Sequence, residues 1–209
     1  MIFALVFALS RIPGALSQDF ANFSAAYALA FCAGVFFPGR MAWWFPLTIF
    51  AVTDIGLNLV YSARGYDVWD PSILKYQLIN YVAYIVLIWL GRRFKPGSSM
   101  FSLLGGGLLG AILFYLITNT ASWLFNPFHN PEYTKNFLGL LTALFKGTHG
   151  WPETWQFFRN TLLSGGLFTG LFTAAMKFTA ESPADKVAGA KAEEETEGET
   201  EEAPEEAKA

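Results

Sequence analysis

Phe101 to Phe125 is a run of twenty-five residues without one charged side chain. A helix rises about 1.5 Å per residue, so about 20 apolar residues cross the roughly 30 Å hydrocarbon layer of a bilayer. The run is predicted to be a transmembrane helix, and it sets the class of everything around it. Ala42 to Tyr61 carries one charge, Asp54, and Ser72 to Leu90 carries one, Lys75. Phe23 to Phe37 is apolar or small throughout, and Phe157 to Met176 is apolar beyond Arg159 and Asn160. Five such segments within 180 residues exceed what buried helices of a soluble core explain.

The N-terminal run Met1 to Leu9 is short for a span. A short first helix, a signal peptide cut after Ser17 and an interfacial helix all accommodate it, although no basic residues precede the run as a signal peptide requires. The expected fold is therefore all-α: a polytopic bundle of about six transmembrane helices over residues 1–180. Residues 181–209 read as a second region. That stretch has eleven acidic residues, three lysines, two prolines and no aromatic residue. Such a composition buries too little apolar surface to offset its ordering entropy, so a disordered acidic tail is expected. It either recruits a partner or only adds solubility.

Charge orients the bundle. The formal net charge of −3 divides into +5 over the first 180 residues and −8 in the tail. The densest basic cluster, Arg92, Arg93 and Lys95, lies in the short turn from Gly91 to Gly97, which the positive-inside rule assigns to the cytoplasm. Both termini then face the cytoplasm, and the setting is a bacterial inner membrane. Trp43 and Trp44 fall at the inner interface, and Trp69, Trp151 and Trp155 at the outer one. Phe137 to Phe145, inside the long outer connection, is too short to span and reads as interfacial or re-entrant.

The polar residues inside the expected spans are one-sided. Asp54, Asn58 and Tyr61 share a helical face, and Tyr76, Asn80 and Tyr84 form a second stripe. Asn22, Asn119, Trp123, Arg159 and Asn160 lie toward the same outer ends. Uncompensated polar groups in hydrocarbon are costly, so the set predicts an outward-open ligand pocket. Interhelical hydrogen bonding that only holds the bundle together is the competing explanation. Asp54 and Arg159 are the two intramembrane charges, and an Arg159 fork would suit a carboxylate or phosphate. Small residues four apart (Ala4 and Ala8; Ala26, Ala30 and Gly34; Gly106 and Gly110; Gly166 and Gly170) offer faces for close helix packing, within the bundle or against another subunit.

Several classes are excluded. One cysteine, Cys32, and two histidines leave no disulfide framework and little material for a metal centre. The short basic run is too small for a soluble nucleic-acid binder. No H-E-x-x-H, G-x-S-x-G or P-loop pattern occurs, so neither an enzyme nor a bound cofactor is expected.

Four blocks carry a resemblance: Asn22-Phe23-Ser24-Ala25; Pro46-Leu47 with Thr53-Asp54; Thr118-Asn119 with Trp123-Leu124; and Phe157-Phe158-Arg159-Asn160-Thr161-Leu162. Across about residues 10 to 178 the chain resembles an uncharacterised family of small bacterial membrane proteins. That family is similar to the substrate-binding S components of energy-coupling-factor (ECF) transporters. The resemblance implies a ligand site near the outer face, a partner transmembrane subunit and a pair of cytoplasmic ATPases. It also implies that Ala4 and Ala8 form a docking element, although the first helix is short here. The expected function is substrate binding in micronutrient uptake, for a vitamin or related small molecule. The alternative is a structural or scaffolding membrane protein.

Overall fold

The computed structural model describes residues 2–180, so the expected acidic tail lies outside the described residues. The chain divides into two units, residues 1–173 and residues 174–209. The first holds the helical bundle; the described part of the second is the end of its last helix.

The N-terminal run is a broken helix: α1 spans Ile2–Ser10 and α2 spans Ile12–Leu16. Pro13 explains the break, because it has no N–H for the Leu9 carbonyl and its ring crowds that turn. A 3-10 turn, Gln18–Phe20, follows, and then α3, Ala26–Phe36. The Ser10 hydroxyl accepts from the Ala25 N–H at 2.9 Å and so ties the break in the first helix to the start of α3. Pro38 stops α3, forcing Phe37 into extended geometry (ψ 135°).

Helices α4 (Met41–Ala63), α5 (Pro71–Gly91) and α6 (Met100–Phe125) are each long and apolar enough to cross a membrane. α5 starts on Asp70, whose carboxylate accepts from the Ser72 N–H at 2.7 Å, with Pro71 in the first turn. A short helix, α7 (Phe137–Leu141), runs into one π turn, Thr142–Lys146, and α8 covers Thr154–Ala180.

About six apolar segments were expected to span, and among the described residues three helices meet the length and apolarity this requires. The others depart for separate reasons. The N-terminal segment is broken at Arg11. α3 is eleven residues long, or roughly 16 Å. α8 has the length, 27 residues, but Gln156, Arg159, Asn160 and a scatter of Ser, Thr and Gly dilute it.

α3 is the axis of the bundle. Every residue from Ala26 to Val35 is buried, against α4, α5 and α6. Its crossing with α5 is backbone on backbone. A Cβ on Gly34 would stand 2.2 Å from the Ile88 carbonyl oxygen, and one on Gly91 would stand 2.1 Å from that of Phe31. Gly107 of α6 faces Thr169 of α8, and Gly106 faces the rings of Phe31 and Phe94. The small-residue faces at Gly34, Gly106 and Gly107 are thus spent on packing inside the bundle.

Candidate functional site

A cavity of about 490 Å³, with Lys75 and His129 in its wall, lies between the start of α5 and the end of α6, and two adjoining cavities open beside it where α4 stops and α5 starts. The deeper one has a volume of about 420 Å³. Its walls come from the break in the first helix, the loop before α3 and the first turn of α3, the last turns of α4, the first two thirds of α5 and the second half of α6. Tyr76, Asn80 and Tyr84, three residues at four-residue spacing on α5, all line it, as do Thr118 and Asn119 of α6.

Aromatic rings close the bottom. Tyr84 stacks on Phe114 (centroids 5.2 Å apart, 24° between planes), and Tyr27 lies 4.7 Å from the same Phe114 ring. Below them Phe50 is 4.3 Å from Tyr84, and Phe7 is 5.0 Å from Phe50. Beyond this layer come the fully buried Leu87 and Ile88 and then the α3–α5 crossing. The cavity therefore ends inside the bundle.

Arg11 is the charged side chain of the lining. The break in the first helix puts it beside the middle of α4. There its Nη1 donates to the Asp54 carboxylate and, at 2.9 Å, to the Thr53 hydroxyl. The Tyr81 hydroxyl donates to the other Asp54 oxygen at 2.7 Å. Arg11 and Asp54 are 23% and 18% exposed, so this ion pair is largely withdrawn from water.

The expected site residues divide. Asn22, Asn80 and Asn119 line the deep cavity. Asp54 stands behind Arg11. Asn58 is buried and exchanges two hydrogen bonds with Gln77, at 3.2 and 2.9 Å, which joins α4 to α5. Asn160 is buried and donates to the carbonyls of Asp19 (2.6 Å) and Ala21 (3.0 Å); it fastens α8 to the loop that carries Asn22. Trp123 donates its indole N–H to the Thr134 carbonyl at 2.7 Å, and Lys135 bonds the carbonyls of Trp123 and Leu124, so this end of α6 is strapped to the following loop. Arg159 is exposed, with its guanidinium 5.9 Å from the Trp155 ring centroid, and it does not line either cavity. The cation at Asp54 is Arg11.

In the sequence, an arginine after a nine-residue apolar run reads as the end of that run, and so Arg11 reads as an outer-loop residue. Pro13, two residues on, was the available signal that the helix breaks there instead. Tyr27 and Trp151 also line the cavity and gave no polar signal.

A family model described as a family of unknown function (DUF6580) matches residues 1–187. The chain belongs to that family. No curated protein matches the chain, and no solved structure does. The match to the DUF6580 family runs through every helix described above, so broken helix, cavity and ion pair all lie within the family region.

The second cavity, about 510 Å³, shares Ala21, Asn22, Tyr76, Asn119 and Trp151 with the first and extends under the connection between α6 and α8. That connection has its own anchor. The Glu132 carboxylate accepts from the His149 backbone N–H at 2.9 Å, and this bond holds the Glu132 carboxyl below the usual carboxylate range. A carboxyl lowered in the folded state stabilises it above the unfolded pKa, and that contribution is lost as pH falls through the folded value. Protection of the backbone amides at 147–150, relative to their intrinsic exchange rates, is therefore expected to fall below about pH 4, and the Glu132→Gln variant to show the lower protection at neutral pH.

Proposed function

We propose that this DUF6580 protein binds a small molecule within the membrane and serves as the substrate-binding component of an ECF-type micronutrient uptake transporter. The observation that carries the reading is the cavity with its ready polar groups. The side-chain amides of Asn22 and Asn80 make no hydrogen bond to any described residue, and the Asn119 amide uses one donor, on the Tyr115 carbonyl at 2.9 Å. Asn22 is exposed and takes a left-handed turn in its loop, but a bundle that needed the half-buried Asn80 amide only for packing would have paired it, as it pairs Asn58 with Gln77 and Asn160 with two carbonyls. In this reading the cavity end faces outward, the turn at residues 91–97 faces the cytoplasm of a bacterial cell, and both termini are cytoplasmic.

The partners would be an ECF-type transmembrane subunit and a pair of ABC ATPases. Ala4 and Ala8, half-buried on α1 beside the exposed Leu5 and Leu9, are the proposed docking stripe. A scaffolding role is the second reading; the structural use of Asn58, Trp123 and Asn160 favours it. Affinity purification from native membranes in mild detergent separates the two. Transport predicts an ATPase pair in the eluate and loss of that pair in the Ala4→Leu/Ala8→Leu variant; an eluate free of ATPase supports the scaffold.

The cavity itself is tested by Asn80→Leu. Removing one hydrogen-bonding partner from a ligand costs about 1–2 kcal/mol, or about ten-fold in affinity. Native mass spectrometry of the detergent-purified chain is expected to show a retained small molecule, and Asn80→Leu to show markedly less.

A further inference from the structure

We infer that the ligand of this site carries no net charge. This rests on the binding role proposed above and narrows its substrate class. Among the described residues that line the two joined cavities, Arg11 is the one that bears a charge; the second cavity, which leads to the first, is lined by no Asp, Glu, Lys, Arg or His, and the Lys75 and His129 of the neighbouring cavity line neither of them. An unpaired arginine at the bottom of such a pocket would select a carboxylate or phosphate. This arginine is already neutralised by Asp54, which Tyr81 holds from the other side. An anion entering beside Arg11 would meet the Asp54 charge a few ångströms behind it, in a setting that screens charge poorly. A cation would find neither a free carboxylate nor an acidic approach. What the walls offer instead is neutral: side-chain amides at Asn22, Asn80 and Asn119, and the aromatic side chains of Tyr76, Tyr84 and Trp151. They suit a planar ring system with uncharged donors and acceptors, such as amide, keto or hydroxyl groups.

The experiment is affinity selection with mass-spectrometric readout on the full-length protein in detergent at pH 7. The probe mixture is equimolar and contains aryl-acetamides of one to three rings, each with its matching aryl-acetate. The amides are expected to be retained about ten-fold or more over the acetates. Asp54→Asn leaves Arg11 uncompensated, and retention is expected to swing toward the acetates by about ten-fold. Arg11→Gln/Asp54→Asn removes both charges and is expected to keep the amide preference, which covers the case in which the single variant does not fold. Equal or greater retention of acetates by the wild type overturns the inference, as does retention of neither class. Co-purification of an ATPase pair together with acetate preference would overturn the charge rule and leave the transport reading standing. Amide preference without an ATPase would do the reverse.

Discussion

Replacing Arg11 by Ala is expected to lower the stability of the bundle by about 3 kcal/mol, because it strands the Asp54 carboxylate among apolar helices. Asp54→Ala should cost a similar amount by stranding Arg11. The pair is withdrawn from water but borders a cavity, which tempers the penalty of a fully buried charge. Arg11→Met/Asp54→Leu removes both charges while keeping the side-chain volume, and it is expected to recover most of the loss. Thermal unfolding, in one detergent, of the wild type, the two single Ala variants and Arg11→Ala/Asp54→Ala closes a double-mutant cycle. A coupling near zero would mean that the pair does not hold the broken first helix against α4.

Gly91→Val is expected to be as damaging, at about 3 kcal/mol or more. A side chain there meets the Phe31 carbonyl, which is backbone of the fully buried α3 and has no rotamer by which to move aside. The two helices would have to part along their crossing, and the aromatic floor of the cavity, which spans α4, α5 and α6, would open with them. Gly34→Val attacks the same crossing from the α3 side and should behave alike. Gly56→Ala is the control: the site is exposed, nothing stands within 4 Å, and a helical Gly-to-Ala change is expected to be neutral or stabilising by up to about 1 kcal/mol. A melting temperature for Gly91→Val within a few degrees of wild type would show that the crossing yields.

Much of this architecture was legible in the residues because it rests on short-range rules. Length and apolarity locate α4, α5 and α6 to within a residue or two. The Asp70-Pro71 start of α5 and the Pro38 stop of α3 are local steric and hydrogen-bonding facts. The period of four along Tyr76, Asn80 and Tyr84 put those side chains on one face before any neighbour was known. The polar side of the bundle was legible for the same reason, since a lone amide in hydrocarbon is costly wherever it sits.

What each polar group does was not legible, because partnership is a long-range property. Asn58 and Asn80 look alike in sequence, yet one meets Gln77 from a neighbouring helix and the other meets open space. Arg159 looked like the cation of the site, but its helical register turns it to the exterior of α8. Arg11 looked like a loop residue, and only the break at Pro13 swings it onto Asp54, 43 positions along the chain. Apolar periodicity decides which faces are buried; the helix crossings decide which buried groups meet. The charge of the cavity, and with it the proposed class of ligand, comes from one such meeting.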